Sequence, residues 1–462
     1  MEPNYNRRRM LLIGAGSIAA ASAATIRNSN SSLVFSDSFE STNAISVLNF
    51  GATGDGVTDD TAAIQSALDH MSNVKGILWF PPGRYMVSKN NPTGAGSRRP
   101  DDFALNFTGS GVTLVGQPGE SVIVRNPSSP DFVTMRWQVL PIDNGVVKIY
   151  NSHITGLEFD GSIDPTEADS VGSALIVASG INNCSISNCY FHGSLLYGLA
   201  LQNGGHVNTV LRDILVEDTW LDAIDVKNNG DNDKNNRMTN ITCRRFGRGA
   251  DPGTSVSAGI DIHAGWQLDN IICEDYGDFG KVVAGIRFKQ GESEDSRGTG
   301  AHYSSLNNFK CIALDRNESS STRVETGGII SRARKVQISN GYIRSPSGTG
   351  ITINQDSNKV SLVIVEDCGI DGFETTDKGL TTKADKCSFV GCEAIRSGRA
   401  DFLINTDNCS LSACIADGGD INLWNPSGGW NTRWIGGALL NAKTTTWANK
   451  NQTNKIWHAI KS

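Results

Sequence analysis

A short phrase returns along this 462-residue chain, and it restricts the fold more than any other feature: GLALQN, AIDVKN, GIDIHAG, GIRFKQGE, GIISRA, GITINQ, GLTTKAD, FLINTD. Its first large apolar residues are Leu199, Ile224, Ile260, Ile286, Ile329, Ile351, Leu380 and Phe402, so the steps are 25, 36, 26, 43, 22, 29 and 22 residues. Similar units at such intervals make a solenoid, in which each unit packs only on its neighbours. A step of 22 is the bare coil; the excess in the longer steps must leave it as loops. A second apolar column follows two residues on, through Leu201, Val226, Ile262, Phe288, Ile353 and Ile404, with Ser331 and Thr382 as exceptions. That alternation is the period of a strand with one face in a core.

A second register follows each phrase: CSISNC, LRDILV, MTNITC, LDNIIC, LNNFKC, VQISNG, VSLVIV, CSFVGC and CSLSAC. Each coil therefore carries more than one strand, and nine coils can be counted. Asn183, Asn240, Asn270, Asn308 and Asn340 recur beside these strands, where Asn tolerates a tight turn. The expected fold is all-β, a single-stranded right-handed parallel β-helix. Nine of the ten cysteines, all but Cys368, fall in the two columns of the second register, sharing places with Leu211, Val216, Leu268 and Val336. That placement reads as core packing, with bridges between neighbours such as Cys243 and Cys273 as the alternative.

The N-terminus reads as a signal peptide over 1–24: Arg7-Arg8-Arg9-Met10-Leu11, an apolar run from Leu12 to Ala24, and Ala21-Ser22-Ala23 for cleavage. The arginines resemble a twin-arginine signal, with an ordinary Sec signal as the alternative, and either implies export to a bacterial periplasm or beyond. The apolar run is too short to span a membrane. A net charge of −7 argues against a nucleic-acid binder working through bulk charge. The β-helix is expected over 45–420, with 421–462, rich in Trp, as a C-terminal cap or tail. Monomer and trimer are both open.

Residues 46–87 contain FGATGDGVTDDTAAIQ, then a run in which Ile64, Leu68 and Met71 share one helical face, then the apolar strand Gly76–Phe80. Asp59 and Asp60 are placed to cap that helix, which would cover the open end of the first coil. This stretch resembles the opening of the pectate-lyase-like superfamily, which includes rhamnogalacturonases, alginate C5-epimerases and phage tailspikes. Gly156-Leu157-Glu158-Phe159-Asp160-Gly161 extends the likeness. The resemblance implies a pectin-lyase-like β-helix and a polysaccharide partner. It does not name the reaction, because one fold hosts many chemistries.

The outward positions narrow the search. The first column reads Ala200, Asp225, Asp261, Arg287, Ile330, Thr352, Thr381 and Leu403; the second reads Gln202, Lys227, His263, Lys289, Arg332, Asn354, Lys383 and Asn405. Charge gathers on the coils of Asp225, Asp261 and Arg287, which the polar loops 228–257, 290–304 and 315–326 would wall. Stacked carboxylates should split their pKa values, and cations beside them can hold an acidic sugar. The expected catalytic residues are Asp222, Asp225, Asp261 and His263, with Lys227, Trp266, Arg287, Lys289, Glu292 and Arg332 on the substrate. A solvated exterior ladder is the bland alternative, and a core role is the bland alternative for Trp266.

Three family templates can be laid on this patch. Trp220–Asp225 resembles the N-T-D-G-x-D segment of pectin-type hydrolases and Arg287-Phe288-Lys289 their R-I-K, although their D-D pair and G-H-G are absent. Gly259-Ile260-Asp261-Ile262-His263 resembles part of the epimerase Y-G-F-D-P-H. By coil count, however, the epimerase site would fall at Tyr197–Gln202, which lacks both Asp and His. Asp225, Asp261 and Arg287 would also suit a calcium-dependent pectate lyase. The preferred expectation is a glycoside hydrolase acting on an acidic polysaccharide, with no cofactor, though calcium stays open. Two of the three aspartates would serve as acid and as base or nucleophile: adjacent coils favour retention, and a wider pair with Asp222 favours inversion. The alternatives are a lyase or C5-epimerase acting on uronates, and a non-catalytic adhesin or tailspike-like protein. The loop Asp231-Asn232-Asp233 reads as a solvated turn rather than a calcium loop.

Overall fold

The computed structural model describes residues 44–90, 103–129, 133–137, 148–162, 174–202, 204–227, 233–248, 257–277, 283–290, 300–314, 327–376, 384–425, 430–449, 455–457 and 460–461. The expected signal peptide therefore lies outside the described residues. So do Glu292, Asp231 and Asn232, and most of the loops expected to wall a groove. Among the described residues no helix is long and apolar enough to cross a membrane.

The chain winds as a right-handed parallel β-helix. Thirteen strands stack in sequence order in one sheet, from Phe103–Phe107 through Leu199–Gln202, Ile224–Val226, Ser257–Ile262, Val283–Phe288, Gly327–Ser331 and Thr349–Ile353 to Thr445–Asn449. A larger parallel sheet closes the coil. The ladder does not stop at residue 420: Ile421–Asn425 pairs with Ala400–Ile404, and Thr445–Asn449 pairs with Ile421–Asn425. The apolar columns are the interior, with Leu199, Ile224, Ile260, Ile286, Ile329 and Ile351 fully buried.

One anchor was misplaced. Ile351 pairs with Phe373, which pairs with Phe402, so the coil belongs to Asp371–Thr375. The look-alike GLTTKAD begins with residues 379–383, outside the described residues. Glu374 thus stands in the first outward column where Thr381 was expected, and Thr376 in the second where Lys383 was expected.

In the five coils from Gly259 to Gly372 a glycine precedes the anchor. A Cβ on any of them would lie 2.6–2.8 Å from the carbonyl oxygen at the same place in the next coil. This column therefore cannot take side chains without separating the strands. At one corner Asn240, Asn270, Asn308 and Asn340 all have φ between 51° and 56°, and Asn183 has the same conformation at a different corner, beside Asn151; Asn accepts this left-handed turn conformation more readily than most residues. Asn270 donates through Nδ2 to Asn240 at 2.8 Å, so the turns are bonded coil to coil.

All ten cysteines are buried and none is bridged. Their register is partly corrected. Cys243 pairs with Val216 and Cys273 as expected, but Ile186, not Cys184, is the partner of Leu211. CSISNC, VQISNG, CSFVGC and CSLSAC sit two residues earlier than the other phrases. Cys184, Val336, Cys387 and Cys409 therefore share a separate interior position. Because every thiol is sealed in the core, a native sample titrated with an aromatic disulfide reagent should show no reacting thiol, and an unfolded one should show all ten.

The helix Thr61–Val74 buries Ile64, Ala67, Leu68 and Met71 and packs against Gly76–Phe80 and Phe103–Phe107. Asp59 Oδ1 accepts the Thr61 N–H at 3.0 Å. Asp60 does different work: its carboxylate accepts from Thr53 N and Oγ1 and Gly54 N, tying the loop of the opening motif to the helix start.

Candidate active site

The strand Ile224–Val226 lies between Leu199–Gln202 and Ser257–Ile262, which is followed by Val283–Phe288. Asp225 therefore stacks on Asp261, and Asp261 on Arg287, with Ala200 before them. In the second column the N–H groups of Lys227, His263 and Lys289 bond back to Leu201, Val226 and Ile262, which fixes those side chains beside the carboxylates.

Asp261, 1% exposed, is enclosed by cations. Arg287 donates to both its oxygens, Nε to Oδ1 at 2.8 Å and Nη2 to Oδ2 at 2.6 Å. Lys289 Nζ and His263 Nε2 each lie 3.1 Å from Oδ2. Burial alone would raise this carboxyl, but Arg287, His263 and Lys289 outweigh it and hold Asp261 well below the usual carboxylate range.

Asp225 is fully buried and bonded on one side only. Gln202 Nε2 donates to its Oδ2 at 2.9 Å and Lys227 Nζ lies 3.4 Å from the same oxygen. Oδ1 has no hydrogen-bond partner among the described residues. Burial, seconded by the charge of Asp261, raises this carboxyl, while Lys227 opposes the shift.

Asp222 precedes the strand and is 5% exposed. Its Oδ1 accepts the Ala258 N–H from the next coil. Burial, and then the charge of Asp261, push it up to about 8, so it is protonated at neutral pH. Two of the three aspartates, Asp222 and Asp261, are thus displaced in opposite directions for different physical reasons.

Asp222, Asp225, Asp261, His263, Lys227, Arg287 and Lys289 come together as expected. Arg332 occupies the expected column one coil beyond Lys289, its N–H bonded to Phe288 O. Trp266 is corrected: it is 1% exposed in the core. It pairs with Asn236 and bonds through N–H to Ser304 Oγ, which places it in the interior position of Cys184, Val336, Cys387 and Cys409. Its Nε1 donates to Asp233 Oδ2 at 3.4 Å, so it has no face for a sugar.

Two residues escaped the sequence reading of the site. Gln202 stood in the second outward column, and its place one coil before Lys227 was the available signal. Tyr197 lies near the acids: burial, then the charges of Asp225, Asp222 and Asp261, raise its hydroxyl pKa. Lys227 Nζ sits 5.6 Å from its ring centroid.

Asp225, Asp261 and His263 offer ligand atoms within 4.8 Å of one another, enough to hold a metal ion. Both Asp261 oxygens already bond to cationic groups, which a metal would have to displace.

The chain is thus a parallel β-helix with a cluster of carboxylates and cations on its outer face. Residues 44–261 match the family described as Rhamnogalacturonase A/epimerase, pectate lyase-like. That match takes in a little under half of the chain, and the fold is the parallel β-helix of pectate-lyase-like proteins. It is 38% identical over 88 residues to a glucan 1,3-beta-glucosidase of Cochliobolus carbonum, which is 17% of this chain and 11% of that protein. It is 45% identical over 80 residues to mannuronan C5-epimerase AlgE1 of Azotobacter vinelandii, 17% of this chain and 5% of that one. The similarity thus spans a small part of these curated relatives. Among solved structures, the tailspike of E. coli bacteriophage HK620 superposes with a TM-score of 0.56 at 12% identity, covering 90% of this chain and 78% of that one, a likeness of fold.

Proposed function

We propose that this protein is a glycoside hydrolase that cleaves an acidic, uronate-containing polysaccharide without a metal. The observation that carries this reading is the unlike setting of two neighbouring buried carboxyls: Asp222 is raised to about 8 with one oxygen on the Ala258 N–H, whereas Asp225 has one oxygen held by Gln202 and Lys227 and the other without a partner among the described residues. Environments that push such groups apart are how one site keeps an acid and a carboxylate at the same pH.

Asp222 is the general acid. Its Oδ1 is taken by the Ala258 N–H, so Oδ2 carries the proton for the glycosidic oxygen. Asp225 is the base: Gln202 and Lys227 hold Oδ2, leaving Oδ1 to accept a proton from the attacking water. Asp261 is a poor base because Arg287, Lys289 and His263 saturate it; it positions those groups instead. With Asp222 protonated, and His263 set aside, Asp225 and Asp261 give −2 against +3 from Lys227, Arg287 and Lys289. The resulting excess of positive charge suits an anionic sugar better than a calcium ion.

Asp222 sits at the bend before the strand and Asp225 within it, three residues on, so the two carboxyls are not stacked neighbours in one column. We assign them the wider carboxylate spacing that leaves room for a water. Proton NMR of the first-formed product should therefore show inverted anomeric configuration; retention would exclude Asp225 as base.

Resemblance to AlgE1 and the Asp261–His263 contact favour a second reading, proton abstraction at C5 of a uronate with His263 as base and Arg287 beside the carboxylate. A panel of acidic polysaccharides separates the two. Hydrolysis releases reducing ends without ultraviolet absorbance, elimination generates unsaturated, absorbing ends, and epimerisation changes sugar composition with no cleavage. Binding with none of these would indicate an adhesin. Export after folding, through the twin-arginine-like N-terminus, belongs to this proposal, since such a substrate lies outside the cell.

A further inference from the structure

The outer face is not symmetrical about the acidic centre. Toward lower residue numbers, the column of Asp225 continues as Ala200 and Val177. These two join Phe103, Val133 and Ala174 in a cluster no more than 8% exposed, with Tyr197 packed against it. None of the five carries a polar side-chain atom. Toward higher numbers the column continues from Arg287 through Ile330 and Thr352 to Glu374. Beside it run Lys289, Arg332, Asn354 and Thr376, joined N–H to carbonyl from coil to coil.

Asn354 is 1% exposed, and its Oδ1 has no hydrogen-bond partner among the described residues. It occupies the position from which Lys227, His263 and Lys289 reach carboxylates of the adjacent column. In the adjacent column stand Thr352, two residues before it, and Glu374, one coil on, whose own contact, Oγ1 to Oε2, is a long 3.5 Å. A buried amide oxygen without a donor, next to a hydroxyl and a carboxylate, lacks the partner that buried polar groups normally have.

We propose that Thr352, Asn354 and Glu374 form a distal subsite for an uncleaved sugar residue of the same polysaccharide, on the higher-numbered side of the acidic centre. The subsite rests on the polysaccharide reading above. A sugar hydroxyl donates to Asn354 Oδ1 and another to Glu374, while Thr352 bonds a ring substituent. From Asp261 to Thr352 is three coils, about 14 Å, so the occupant is about three sugars from the cleaved bond. On the other side Ala200 and Val177 are apolar, and the column becomes polar again at Arg136 and Asn106, which are bonded to each other.

Titration calorimetry on the inactive Asp222→Asn variant, using oligouronates of about two to eight residues, tests this. Affinity should rise until the chain reaches the subsite, at about four or five residues, and then level off. Adding Asn354→Ala should weaken binding of the longer oligomers about five- to tenfold and abolish the rise. Thr352→Val, nearly isosteric, should act in the same direction without disturbing packing. Length-independent binding, or long-chain affinity unchanged by both substitutions, overturns the subsite alone. No binding at any length overturns the acidic-glycan reading and the subsite with it.

Discussion

Replacing Asp222 by Asn should abolish turnover and make the protein more stable. Loss of the proton donor should lower kcat by about 10²–10⁴-fold, the usual contribution of general acid catalysis. Stability should move the other way because of how the fold treats this carboxyl. Burial sets its pKa at about 8, against 3.8 for an ordinary aspartate. In the native state it keeps its proton through most of the range in which the unfolded chain has lost it. Its contribution is therefore fully present below about pH 4 and is lost as pH rises toward 8, at about 1.4 kcal/mol per unit. By pH 7 the loss reaches as much as about 4 kcal/mol, and an amide, which cannot ionise in either state, escapes it. Urea unfolding should show the two proteins equal near pH 4 and the Asn variant ahead by about 2–4 kcal/mol at pH 7. A pH-independent difference, or retained turnover, would show that Asp222 is not the protonated acid. In the wild type, activity should decline above about pH 8 as the same proton is lost.

Arg287→Gln should have the opposite character. It removes two hydrogen bonds and the principal counter-charge from a carboxylate that is 1% exposed. Breaking one side of a buried ion pair typically costs about 3–5 kcal/mol, because the remaining charge is left without compensation. Because Asp261 is depressed, its contribution is present above the ordinary carboxylate range and disappears only as pH falls through its low native value. The penalty should therefore be much the same from pH 4 to pH 8, where the Asp222 effect changes most. Asp261→Asn combined with Arg287→Gln puts two neutral amides in place of the pair and should recover most of the loss. A double-mutant cycle in urea gives the coupling. A single-variant cost below about 1 kcal/mol would mean that the pair is solvated, and that Asp261 is not held as an anion by Arg287.

The acidic centre was legible in the sequence because alternation in a strand is strict. Once Ile224, Ile260 and Ile286 were aligned inward, Asp225, Asp261 and Arg287 had to stack outward, and they do. The reading failed where two segments competed for one coil. GLTTKAD imitates the phrase more closely than DGFET does, and only the pairing of Ile351 with Phe373 decides between them. Glu374 was hidden by that choice. Trp266 was misjudged for a related reason: it follows His263 in the chain, but the backbone turns between them and carries it from the outer face into the core. Protonation was out of reach altogether. That Asp222 is raised follows from its burial beside the charge of Asp261, and that Asp261 is lowered from the reach of Arg287, and neither fact is encoded by spacing along the chain.

The glycine column carries a consequence for how such a site can change. The parallel strand pairing holds neighbouring coils at one spacing, and the glycines, with carbonyl oxygens at 2.6–2.8 Å from any added Cβ, leave room for that approach. Separations between groups in one outward column therefore come in steps of about 4.8 Å. One step approximates the close carboxyl pair of retaining glycosidases and two steps the wide pair of inverting ones. For two acids drawn from one outward column, stereochemical outcome is a digital variable, set by which coils carry them; Asp222, which precedes its strand, stands outside that ladder and gives the present site a spacing the column alone does not offer.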